Sequence, residues 1–183
     1  MMHYNLDWLI LKMNNGEKMK YLYFWGHTKK STDTIGKFVF SQWFDASFKV
    51  DKIIYKTAEH WMMAHKARLF NDELTFEKII RAEKPGEVKE FGRQINGFDQ
   101  DVWDRHKYEI VREGNFHKFS QHKELKDFLL QTNGRVLVEA SPVDTIWGIG
   151  LAEDSPLIEN PKNWKGQNLL GFSLMEVRDQ LKI

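Results

Sequence analysis

At 183 residues with 42% hydrophobic content, the chain can bury one sizeable core, which predicts a single domain over 21–183 preceded by a peripheral extension at 1–20. Its 27 basic and 26 acidic residues leave a formal charge of +1, so no global field draws it onto nucleic acid or an anionic membrane. The absence of cysteine excludes disulfides, thiolate metal sites and a cysteine nucleophile, and fits a reducing, cytoplasmic setting.

In residues 1–20 apolar side chains mix with Asn14, Asn15, Gly16 and several lysines without a sustained period, hence the peripheral assignment. The apolar run at 8–11 falls far short of the roughly 20 residues of a membrane span, and no secretory leader is expected. From Tyr21 onward, three β-branched or aromatic runs at 21–25, 37–40 and 48–55 are split by turn formers and predict three strands.

Thr57 precedes a stretch of helix formers from Ala58 to Phe70 and is the natural N-cap, through its hydroxyl. Asn71 or Asp72 starts a second helix with Leu74, Ile79 and Ile80 as apolar positions. Pro85-Gly86 divides it from a third carrying Val88, Phe91 and Ile95. Asp99 or Asp101 caps a longer helix through Trp103, Ile110 and Val111, and another spans 123–132 before Asn133-Gly134. A short strand at 136–139 follows, then a long loop over 141–165, and Asn168 opens a last helix with Leu170, Leu174, Val177 and Leu181 at helical spacing. Strands first and helices after predict an α+β, predominantly helical domain, with short N-terminal strands packed on a helical array. A loop of about two dozen residues exceeds ordinary connections and marks a functional segment.

Glu59 falls in the first turn after Thr57, where unpaired amides and the helix dipole favour a charged carboxylate. Taken alone it suits a plain helix start as well as catalysis. His60 and His65 stand at i, i+5 and point about 140° apart, unlike the i, i+4 pairs that bind zinc, so no metal site is expected. In the run from Ser141 to Gly150, Asp144 and Trp147 can be presented beyond a strand end. Asp144 is equally suited to forming a turn, and Trp147 to plugging the core. Lys165-Gly166-Gln167-Asn168 precedes a helix, so its amides and the lysine charge are candidates for phosphate, whereas the dispersed glycines exclude a P-loop.

In order along the chain stand Tyr23-Phe24-Trp25, Phe40-Ser41-Gln42-Trp43, Thr57-Ala58-Glu59-His60-Trp61, Ala64-His65-Lys66-Ala67 and Val102-Trp103. The run from Phe119 to Leu130, Leu137-Val138-Glu139, the stretch from Asp144 to Gly148, and Gly166-Gln167-Asn168-Leu169-Leu170-Gly171 leading to Arg178 complete the series. The ordered set resembles the NADAR or YbiA-like N-glycosidase family. Members resembling this chain hydrolyse N-glycosidic bonds in ribosylated pyrimidine intermediates of riboflavin synthesis, and relatives are associated with removing ADP-ribose from guanine bases. A third reading is a non-catalytic module that binds ADP-ribose or NAD.

The resemblance implies an enzyme without a cofactor, acting on a small nucleotide-like substrate. It admits nucleic acid only as an ADP-ribosylated substrate, involves no membrane, and leaves the oligomeric state open. It makes Glu59 and Asp144 the catalytic carboxylates and places Trp103 and Trp147 against the base or ribose, with Lys66, Asn168, Lys165 and Gly148 as further substrate contacts. Two positions depart from the family pattern: Ile149, where relatives can carry an acidic residue, and Gln167, where a lysine can occur.

Overall fold

The computed structural model describes residues 4–29 and 35–182. It is α+β and predominantly helical, with short strands, and it divides into two compact units. One is Gln42–Lys123; the other combines the chain up to Ser41 with the chain from Glu124 onward.

In Gln42–Lys123 the run at 48–55, expected as one strand, is an antiparallel hairpin of β2 (Phe48–Val50) and β3 (Ile53–Tyr55) with Phe48 opposite Tyr55. The reversal occurs at Asp51 and Lys52, whose φ values of 47° and 70° both lie in the left-handed region. Two such residues in succession are the signature of a type I′ turn, whose twist matches a hairpin. Asp tolerates this region better than most side chains, so the chain turns without the Asn-Gly or Asp-Gly pair that would advertise it.

Four helices follow. α2 (Ala58–Leu69) is capped as expected, the Thr57 hydroxyl accepting the His60 amide. Asp72 caps α3 (Glu73–Arg81) by accepting the Thr75 amide, and Pro85 opens α4 (Pro85–Arg93), where its missing N–H costs nothing. Asp99 caps the long α5 (Gln100–Gln121). The central α2 packs against α3, α4 and α5, and its Trp61 sits in a core with Phe48, Tyr55, Phe76, Ile79 and Val88. The Trp61 indole donates to the Ile110 carbonyl at 2.8 Å. A Cβ on Gly114 of α5 would fall 2.4 Å from the same indole, so glycine is what permits the close approach of α5 to α2.

In the other unit β1 (Tyr21–Phe24) pairs in parallel with β4 (Val136–Glu139), from Tyr21 opposite Val136 to Phe24 opposite Glu139. The last helix (Leu169–Gln180) packs on β4 and is buried over nearly its whole length. It is designated α7, after α6 (Lys123–Gln131). Residues 37–40, expected as a strand, form a 3₁₀ turn in which Val39 and Phe40 are both fully buried. A strand would send these neighbours to opposite faces, whereas i→i+3 bonds let both face the core. The N-terminal segment, expected to lack a periodic element, contains α1 (Leu6–Asn14), capped by Asn5, with Leu9 as its one buried residue. No helix among the described residues is long and apolar enough to cross a membrane.

Candidate active site

Within Gln42–Lys123, Glu59 lies in the first turn of α2 and is only 3% exposed. Its amide donates to the Gln42 carbonyl at 3.0 Å, which ties the segment before β2 to the start of the helix. Lys66 follows at i+7, two turns along the same face of α2. The Lys66 amine donates to the Gly92 carbonyl at 2.8 Å and stands over the rings of Phe98 and Trp103 at 4.2 and 5.5 Å. Burial pulls the pKa of this amine below its ordinary value, while the charge of Glu59 acts the other way. Three of the sequence-predicted residues, Glu59, Lys66 and Trp103, are therefore linked through one electrostatic and aromatic neighbourhood, and Trp103 is itself buried.

Three polar residues not among the site residues expected from the sequence lie beside this region. The Asn115 amide group donates to the Gln42 side-chain oxygen at 2.8 Å and to the Val111 carbonyl at 2.9 Å. One turn further along α5, Lys118 is fully buried near the rings of Phe44 and Phe119, and desolvation pushes its pKa down to about 7. A Gly-Asn pair in the interior of a 22-residue helix is the sequence signal that marks this place, since both residues are poor helix formers. The histidines are otherwise engaged. His60 is bracketed by the Thr57 hydroxyl and the Ala82 carbonyl, and the His65 ring stacks 3.8 Å from Trp61.

In the other unit, Asp144 is half-buried and its Oδ1 accepts the amides of Ile146 and Trp147, both at 2.8 Å. The loop around it is held by main-chain bonds to the segment that enters α7. The carbonyls of Thr145, Ile146, Trp147 and Gly148 accept the amides of Gln167, Leu169, Leu170 and Asn168, and the Lys165 amide donates to Ile149. The amides expected to receive phosphate at Lys165, Gln167 and Asn168 are thus already committed. The exposed side chain of Lys165 is the positive charge that this segment offers to an anion.

Gly148 and Gly166 meet at this seam, where a Cβ on Gly166 would fall 2.3 Å from the Gly148 carbonyl oxygen. Asn168 is fully buried at φ 55° and does not cap α7 with its side chain. Instead its amide spans β4, accepting the Glu139 N–H and donating to the Leu137 carbonyl, each at 2.9 Å. Trp147 is half-buried. An open cavity of about 640 Å³ in this unit is lined by Lys20, Tyr21, Tyr23, Arg135 and Glu159 among others; none of the sequence-predicted site residues borders it.

The description NADAR domain matches residues 23–182 of the chain. N-glycosidase R617 of Acanthamoeba polyphaga mimivirus is 43% identical over 169 residues, spanning 90% of this chain and 98% of that protein. N-glycosidase YbiA of Escherichia coli (strain K12) is 34% identical over 154 residues, spanning 84% of this chain and 86% of that one. An NMR structure of the E. coli protein YbiA matches with a TM-score of 0.69 and 31% identity, covering 90% of this chain and 88% of that chain.

Proposed function

The chain belongs to the NADAR family, and from that premise we propose that it is an N-glycoside hydrolase cleaving a ribosyl–nitrogen bond in a phosphorylated nucleotide-like substrate, a ribosylaminopyrimidine-type intermediate of the riboflavin pathway. The observation that most supports this is Glu59, a carboxylate held in the first turn of a capped helix, 3% exposed and coupled to the Lys66 amine. Breaking a ribosyl–nitrogen bond builds positive charge on the anomeric carbon and ring oxygen. A fixed carboxylate in a dry setting lowers that barrier because it needs no reorganisation when the charge appears.

Asp144 takes the second role, activating water or delivering the proton that the departing base requires. Its Oδ1 is committed to two loop amides, which fixes the carboxylate. Trp103 and Trp147 stack on the heterocycle or ribose, worth about 1–3 kcal/mol per stacked base. Such a term aids binding but cannot supply the rate. Lys66 orients polar groups beside Glu59, Lys165 meets the phosphate, and Gly148 and Asn168 shape the wall behind Asp144. The reaction belongs in the cytoplasm and uses no cofactor.

Incubating the protein with a ribosylaminopyrimidine phosphate and with ADP-ribosylated guanosine, and identifying products by mass spectrometry, tests bond type and substrate together. Release of free pyrimidine is the expected result. Release of guanosine and ADP-ribose, with the ribosylaminopyrimidine phosphate left intact, transfers the assignment to ADP-ribose removal from guanine. Tight binding of ADP-ribose with no base released from either compound points to a binding module instead.

A further inference from the structure

Asn115 and Gln42 form a side-chain pair whose orientation is fixed by the helix. Both protons of the Asn115 amide are used, one on the Val111 carbonyl and one on the Gln42 oxygen. Turning Asn115 over would set its oxygen against the Val111 oxygen, so the NH₂ must face Val111 and the Gln42 oxygen must face Asn115. The opposite end of each amide is thereby determined. The Gln42 NH₂ and the Asn115 oxygen find no hydrogen-bond partner among the described residues, although Gln42 is 8% and Asn115 0% exposed. Buried polar groups are rarely left so, because each then bears the full cost of its lost hydration.

One unmet donor and one unmet acceptor, carried by two side chains that are hydrogen-bonded to each other, are the groups that complement a lactam, a ring carbonyl next to a ring N–H. We infer that Gln42 and Asn115 read the lactam edge of the departing base, Gln42 donating to its carbonyl and Asn115 accepting from its N–H. The pair is anchored to the proposed chemistry, since the Gln42 main-chain carbonyl holds the Glu59 amide at 3.0 Å, and the inference rests on the hydrolase assignment made above. It also deepens that assignment. When the ribosyl–nitrogen bond breaks, its electron pair leaves on the base and is delocalised onto the ring carbonyl, while water supplies hydroxide to the anomeric carbon and a proton to the base. A donor on that carbonyl stabilises the charge as it develops. Pyrimidinones and guanine share the lactam edge; adenine and cytosine present the reverse.

The test uses the full chain and two matched pairs of free bases, at a pH where all are neutral: 2,6-diaminopyrimidin-4-one against 2,4,6-triaminopyrimidine, and guanine against 2,6-diaminopurine. Within each pair only the lactam edge is inverted. Calorimetric titration is expected to show the lactam bound at least about tenfold more tightly, the scale of one good bidentate base contact. Gln42→Glu keeps the shape but replaces the donor by an acceptor, and is expected to abolish or reverse the preference, with a thermal melt confirming that the variant is folded. Equal affinities within each pair, no binding of any of the four, or a preference that survives Gln42→Glu each overturn the inference and leave the pair a seat for buried water. The readout is separable from hydrolysis. Base release without lactam preference sinks the pair alone, and lactam preference without release of base from any riboside sinks the hydrolase assignment alone.

Discussion

The start of α2 and the loop around Asp144 hold their carboxylates by opposite means. Glu59 stands where a helix begins, and the helix is fixed by a threonine cap and by the packing of Trp61 with its large neighbours. Asp144 is part of what fixes its own surroundings, because its Oδ1 closes the turn at Ile146 and Trp147 and the loop is then stitched to the entry of α7 by main-chain bonds. A residue placed by a helix that other side chains cap and pack can be exchanged for its isostere with little effect on the fold. A residue that serves as its own scaffold must keep its acceptor oxygen, and this contrast can be measured.

The largest effect belongs to the helix. Glu59→Gln is expected to lower kcat by about 10³-fold or more, in the range of a lost charge-stabilising group, with the urea midpoint nearly unchanged; parental turnover in a folded variant removes Glu59 from the mechanism. In the loop the two functions separate only with the right substitution. Asp144→Asn keeps an oxygen for the two amides and is expected to lose about 10²-fold or more in kcat with little change in stability. Asp144→Ala adds a stability loss of about 1–2 kcal/mol as the turn amides lose their acceptor. Equal stability of the Asn and Ala variants would break the contrast.

Asn168→Gly tests the scaffold itself. Glycine accepts the left-handed φ, so the expected loss of about 2–4 kcal/mol in chemical denaturation isolates the two bonds to β4. The effect in α5 is one of pH. The Lys118 amine has a pKa of about 7 in the folded chain against its ordinary 10.5, so between those values the unfolded chain binds the additional proton. Stability from this group is therefore present in full above about pH 10.5 and is lost as pH falls toward 7, by at most about 1.4 kcal/mol per pH unit. Thermal melts at pH 7 and 9 are expected to show a rise that Lys118→Met lacks.

The same contrast governs what the sequence disclosed. The caps at Thr57, Asp72 and Asp99 are local signals, one side chain answering an amide three residues on, and they place α2, α3 and α5 closely. Glu59 was legible for this reason. Between Phe48 and Tyr55 the reversal rests on φ values that Asp51 and Lys52 adopt only within the hairpin, and the composition reads as one strand. Asn168 illustrates the limit most directly: it stands where a cap is expected, yet its amide serves Leu137 and Glu139, some thirty residues away. Such partners are set by packing of β4 against α7, which no window of local sequence contains. Gln42 and Asn115 escaped for the same reason, being far apart in sequence and meaningful only as a pair.

The commitment of the α7 entry amides to the carbonyls of Thr145, Ile146, Trp147 and Gly148 has a consequence for how the loop would hold the phosphorylated substrate proposed above. A helix end with open amides grips phosphate through fixed dipoles at short range, whereas the exposed ammonium of Lys165 acts as a point charge in water. Attraction of that kind is screened over about 8–10 Å at physiological ionic strength. Affinity for the phosphorylated form should therefore weaken as potassium chloride is added, while affinity for the dephosphorylated nucleoside stays nearly level.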